Sequence, residues 1–260
     1  MSYEKALEYW KSQDVQTGAK IEAVLNGQII NFAYHSGKIE NPNISFNDTR
    51  EIFESDSVSS YTGDLRTLFE IRNAKDAMYL MLDYFDKRTP LSGQLIKELQ
   101  FELTKNTYDS RRYKIGERPG EYKKHDYIVG REEVGASAAD TEVEMQELVD
   151  DINSNDLDST NVLKAAAYFH CKMENIHPFS DGNGRTGRLL VNYLLMLYNH
   201  PPMVIHNEDK NEYYEALQDW DEKLSIDKMI NFFKGQIVKT WHKRLEKFYP
   251  MLTGAKTPSS

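Results

Sequence analysis

Cysteine is nearly absent: Cys171 is the only one, which excludes an internal disulfide framework and fits a reducing compartment. Its apolar helical surroundings mark it as a small core residue. Basic charge is also short. Lys and Arg total 32 against 41 Asp and Glu, a net charge of −9, which argues against a nucleic-acid binder. The local basic pairs, Arg111-Arg112 and Lys123-Lys124, read as solvated faces. No apolar run approaches the roughly 18 residues that cross a bilayer. The first residues, MSYEKALEYWKS, are charged and amphipathic and lack a signal-peptide core. A soluble cytoplasmic protein with no membrane partner is expected. Repeats, low-complexity tracts and long linkers are missing too.

What the chain does contain is mostly helical periodicity, and an all-α fold follows from it. Ala6, Leu7 and Trp10 mark a first helix. Ile21, Val24, Leu25, Ile29, Ile30 and Ala33 recur at three and four and predict one longer helix ending near His35 to Gly37. Asn47 or Asp48 could cap the next, which carries Ile52 and Phe53. Asp64 to Asp86 is apolar on more than one face and reads as a buried helix. Leu91 to Leu103 gives another. Later helices are predicted over Thr141 to Ile152, over Val162 to Ile176 with Ser159-Thr160-Asn161 as its cap, and over Ile226 to Phe248. Leu189 to Leu197 is strongly apolar and reads as central. Between Gly120 and Ser137, Tyr122, Tyr127, Ile128 and Val129 favour strand and Gly130 a turn, so a lone hairpin is expected.

The densest chemistry lies in His177 to Arg188, HPFSDGNGRTGR. Gly182 and Gly184 let the backbone approach a ligand closely. The following helix would aim its N-terminus at an anion. Asp181 is a hard oxygen ligand suited to Mg²⁺. Arg185 and Arg188 can grip phosphate oxygens through two N–H groups each. His177 titrates near neutrality and can take a proton from an attacking hydroxyl. His170, Glu174 and His177 fall at zinc-like spacing, but no H-E-x-x-H is present and Pro178 takes His177 out of the helix; His170 reads as a core histidine.

This run matches every fixed position of H-x-F-x-D/E-G-N-G-R-x-x-R and so resembles the signature of the Fic family. The resemblance implies a compact helical bundle with one β-hairpin flap and an N-terminal helical inhibitory segment. It implies a protein adenylyltransferase that moves AMP from Mg-ATP to a protein Ser, Thr or Tyr hydroxyl, its own included, with ATP and Mg²⁺ as cofactors. His177 would deprotonate the hydroxyl and Asp181 would hold Mg²⁺. Gly182, Asn183, Gly184 and Arg185 would cradle the phosphates, with Thr186 and Gly187 in the same site. Arg188 would hold the γ-phosphate, while Phe179 buries its ring and anchors the loop. Upstream, Ser36 to Asn41 resembles the family's inhibitory motif S/T-x-x-x-E-G/N. That resemblance pairs Glu40 with Arg188 and lets Ser36 steady a short helix. Val129, Gly130, Arg131 and Glu132 of the hairpin would lie against the nucleotide. Tyr213, Tyr214 and Asp221 resemble the segment that contacts base and ribose.

The implied organisation is an inhibitory extension over residues 1–60, a catalytic core over 61–250 and a loose tail over 251–260. Residue types alone leave open which phosphorus is attacked, so a kinase or other nucleotidyl transferase is an alternative. AMP removal and a nucleotide-binding regulator without catalysis are others. Family members often dimerise, but neither the oligomeric state nor the protein target is legible.

Overall fold

Side-chain caps decide where many helices begin. Ser2, Thr17, Ser45, Asp64, Ser92 and Asp109 each accept a backbone N–H three residues ahead, at about 1 kcal/mol apiece. They open α1 (Tyr3–Ser12), α2 (Gly18–Leu25), α4 (Phe46–Ser55), α5 (Leu65–Asp86), α6 (Gly93–Thr104) and α7 (Ser110–Lys114). Between α2 and α4 runs α3 (Gln28–Glu40). Beyond α7 come strands β1 (Tyr127–Val129) and β2 (Glu132–Val134), then α8 (Thr141–Asn153), α9 (Val162–Ile176), α10 (Asn183–Leu197), α11 (Lys210–Lys223) and α12 (Asp227–Thr253). This computed structural model describes residues 2–129 and 132–253. The expected site residues Gly130 and Arg131, and residues 254–260 of the expected tail, lie outside the described residues.

Three expectations need correction. The periodic run from Ile21 to Ala33 is not one helix. Asn26 takes φ 48° and, with Gly27, breaks it into α2 and α3. Asn-Gly is a strong turn signal, and Asn tolerates positive φ better than most residues. Nor does α3 stop near Gly37. It continues to Glu40, so the Ser36–Asn41 motif is its last turn. Gly37 keeps that turn close to the chain beyond it, since a Cβ there would fall 2.6 Å from Ile44 Cδ1. The cap of α4 is Ser45, not Asn47 or Asp48; its hydroxyl accepts from Asp48 N–H.

One main core runs through the described chain. Trp10, Ile21, Phe85, Leu99, Phe169, Leu195, Phe233 and Trp241 all belong to it, and each is 1 % exposed or less. Burying an aliphatic or aromatic side chain of this size contributes about 1.5–3 kcal/mol. At its centre lies α10, packed against α9, α6, α5 and α3. Leu190, Val191, Tyr193 and Leu195 are fully buried, so the second half of α10 is largely apolar, with Asn192 bonded to the Met203 backbone as the exception. Its N-terminal end faces a cavity. The strands form an antiparallel pair with Tyr127 opposite Val134 and Val129 opposite Glu132. Among the described residues no helix is long and apolar enough to cross a membrane.

Candidate active site

The site is the junction between the end of α9 and the start of α10. Pro178 disfavours a right-handed helical His177, and the chain leaves α9 with His177 in the left-handed region at φ 51°. Its N–H still closes the helix on Met173 O at 2.9 Å. The neighbouring carbonyls at this exit also find donors. Ala136 N–H reaches Ile176 O at 2.9 Å and Lys123 N–H reaches Pro178 O at 2.8 Å. Gly135 permits this contact, because a Cβ there would sit 2.3 Å from Ile176 O and 2.6 Å from His177 Cβ. The segment after β2 therefore clamps the residue that carries the imidazole.

The loop that follows is pinned from within. Asn183 accepts from Phe179 N–H at 2.9 Å and donates back to Phe179 O at 2.8 Å, while the Phe179 ring is fully buried. Asn183→Ala leaves both buried groups unpaired, so we expect a loss of about 1–3 kcal/mol of stability in chemical denaturation. A loss below about 0.5 kcal/mol would mean that the staple is dispensable. Gln100 donates to Asp181 O at 2.9 Å and secures the loop to α6. Gly182, at φ 83°, presses against Thr104, where a Cβ would be 2.6 Å from the methyl. The first intrahelical bond of α10 is Thr186 N–H to Gly182 O, so the N–H groups of Asn183, Gly184 and Arg185 are left for another acceptor.

Charge is concentrated around this helix end. Asp181 accepts from Arg66 at 2.8 Å and from Arg185 at 3.2 Å, and Arg112 lies 3.8 Å away. Arg185 is buried, yet its Nε and Nη1 have no hydrogen-bond partner. Arg188 is 4 % exposed in its side chain and tightly held. It donates to Ser36 Oγ at 3.0 Å, Ser36 O at 2.9 Å and Glu40 Oε1 at 2.9 Å. Burial works against its charge, but Glu40, Tyr213 and Glu174 outweigh that and keep it protonated. Gly184 makes room for the pair: a Cβ would be 2.4 Å from Glu40 Oε1 and 2.7 Å from Arg188 Nη1. Burial first, then Lys123, lowers the His177 basicity below the usual imidazole value, so the ring is neutral at pH 7.

A cavity of about 320 Å³ opens over the helix end. His177, Asp181, Gly182, Asn183, Gly184, Arg185, Glu40, Tyr213 and Tyr214 all reach its wall. Tyr214 is 45 % exposed, whereas Tyr213 is packed among His170 and Phe232, with its hydroxyl 2.8 Å from His170 Nε2. Three expected residues stand elsewhere. Thr186 is buried inside α10, Gly187 packs on His170, and Asp221 accepts from Asn175. His170 is a buried core histidine, and among the described residues no group of three His, Cys, Asp or Glu side chains could hold a metal ion. Sequence reasoning missed Arg66, Gln100 and Leu217, which approach from α5, α6 and α11 with no local motif. It also passed over Glu174 as a site residue, though a position three before His177 on the same helix face was a usable signal.

Both the sequence and the fold have known counterparts. Residues 90–195 match the model of the Fic/DOC family. The fold is shared with a Fic-domain-containing signaling protein from Bacteroides thetaiotaomicron, with a TM-score of 0.78 and 22 % identity over 99 % of both chains. It is shared also with Fic-1 from C. elegans, with a TM-score of 0.68 over 98 % of this chain and 74 % of that one at 22 % identity. In sequence the chain is similar to the protein adenylyltransferase Fic of Drosophila willistoni, 32 % identical over 189 residues, which are 71 % of this chain and 35 % of that protein. The Aedes aegypti protein of the same name is 32 % identical over 193 residues, 73 % of this chain and 36 % of that one. This chain thus carries a Fic domain. It spans about a third of the length of the curated relatives it matches.

Proposed function

We propose that the chain is an autoinhibited protein adenylyltransferase. The observation that carries this reading is the meeting, in one cavity, of a neutral His177 with the free N–H groups at the start of α10. His177 accepts the proton of a protein hydroxyl. The freed oxygen forms its bond to the α-phosphorus of ATP as the bond from that phosphorus to the bridging oxygen breaks, and pyrophosphate leaves. The N–H groups of Asn183, Gly184 and Arg185 meet charge on the phosphates, with the unpaired Arg185 N–H groups close behind.

Of the three carboxyl side chains at the cavity wall, Asp181 stands at the start of α10 and suits Mg²⁺, which takes one or two protein carboxylates and fills its shell with phosphate and water. Asp181 keeps spare lone pairs beside its arginine partners and would hold the ion, which would neutralise charge on the phosphates. Tyr214 and Leu217 offer an apolar wall for the base. The β1–β2 pair offers an edge on which a target segment, or a segment of another copy, can add as a strand. Glu40 stands on Arg188, where a terminal phosphate would go, and so residues 1–60 act as the inhibitory extension of a catalytic core over 61–250.

The deciding experiment incubates the protein and Mg²⁺ with ATP labelled at the α- or the γ-phosphate. Protein labelling from the α position only is expected. Label arriving solely from the γ position would replace this reading with a kinase.

A further inference from the structure

Glu174 lies on α9, one turn before His177, and its chemistry is unused by the reading above. It reaches the same cavity as Glu40. Its Oε1 is buried and has no hydrogen-bond partner. Two glycines of α10 separate the two carboxylates. A Cβ at Gly184 would strike Glu40 Oε1 at 2.4 Å, and a Cβ at Gly187 would meet Glu174 Oε1 at 3.4 Å. Arg188 is one turn beyond Gly184, on the side that meets Glu40, and its charge also acts on Glu174.

Glu40 forms the one ion pair recorded for Arg188 among the described residues. Its remaining hydrogen-bond partners, Ser36 and Tyr213, are neutral. A guanidinium this deeply buried cannot stand without a counter-charge: stripping one partner from a buried pair costs several kcal/mol. We infer that Glu174 is a positioning residue, a reserve counter-ion that holds Arg188 in place when Glu40 withdraws. The exchange is a proton equilibrium. Near pH 7, where Glu174 carries a proton part of the time, withdrawal of Glu40 releases it to solvent and return of Glu40 takes it up.

The groups facing Glu174 agree with this. Burial and then Arg188 act on it in opposite senses, and Glu40 from α3 and Asp221 from α11 oppose its charge. The Tyr213 hydroxyl favours the charge, and His170 on the same helix face is kept neutral by burial and by Arg188. The balance places the carboxyl at about 7 with Glu40 present. Removing the Glu40 charge subtracts a repulsion and leaves the Arg188 attraction, so the value must fall. The inference goes beyond AMP transfer and uses only the Glu40–Arg188 pair, so it stands or falls separately from that reading.

Thermal unfolding of the full chain at pH 8 tests it through four proteins: wild type, Glu40→Gln, Glu174→Gln and the double variant. Glu174→Gln is expected to leave wild type unchanged or raise its Tm, because it removes a buried like charge beside Glu40. The same change in the Glu40→Gln background is expected to lower Tm by about 5 °C or more, because Arg188 then has no counter-charge. At pH 5.5 the difference between backgrounds should shrink as Glu174 takes up its proton. Equal Tm shifts in both backgrounds at both pH values would overturn the inference, since a purely structural side chain behaves that way. Should the double variant not fold, titration of ¹³C-labelled Glu174 replaces it. A midpoint lower by about one pH unit or more in Glu40→Gln than in wild type supports the exchange, and an unmoved midpoint overturns it.

Discussion

His177→Ala will lower AMP transfer by about 10²- to 10⁴-fold, the range that a positioned general base supplies. The argument is geometric before it is electrostatic. The imidazole hangs from a left-handed residue whose backbone is held by bonds to Met173, Ala136 and Lys123 on and beside it, so the main chain fixes where the ring enters the cavity. The alanine variant should still bind nucleotide, because the cradle at the start of α10 does not depend on the ring. The wild-type rate should also carry an acid limb. Since burial and Lys123 lower the His177 basicity, the active neutral form persists below pH 6.5 and is lost only as pH falls further. Initial rates with α-labelled ATP across pH 5 to 8 measure both effects. A loss smaller than tenfold in the variant, or a limb centred above pH 7, would remove His177 from the role of base.

Glu40→Gly should act in the opposite direction and raise transfer by about 10- to 100-fold. A hydrogen bond to a charged group contributes about 1.5–3 kcal/mol, and each 1.4 kcal/mol is tenfold. The Glu40 side chain is 40 % exposed, so solvent screening keeps the gain well below the upper end for a buried pair. Glycine also weakens the last turn of α3 by about 1 kcal/mol. Glu40→Gln separates these effects, since it removes the charge and keeps the helix former. Equal rates for wild type and both variants would show that the carboxylate does not compete with the phosphate.

Local signals were legible and distant ones were not. The Asp64 cap of α5, the burial of Phe179 and the exit of His177 from α9 could all be read within a few residues of chain. The Asn26–Gly27 break was locally visible too, but the apolar period on either side hid it. Arg66 meets Asp181 across 115 residues of chain, and no spacing announces such a meeting. Asn183 was read as part of the cradle through its backbone, and nothing in its neighbours announced that its side-chain amide staples Phe179. Glycines read as loop flexibility proved to divide their work: Gly182 takes a left-handed turn, whereas Gly184 and Gly187 are helical and serve close approach.

Ser36 grips Arg188 twice, once through its hydroxyl and once through its main-chain carbonyl. No substitution can delete the second grip. On the proposed reading, erasing a carboxylate and lifting the last turn of α3 are therefore different ways to relieve inhibition. The first leaves the guanidinium tethered and aimed; the second cuts it loose. A binding partner that pulled on α3, for instance through the His35–Asn207 contact to the segment before α11, would unseat the phosphate's anchor along with its rival.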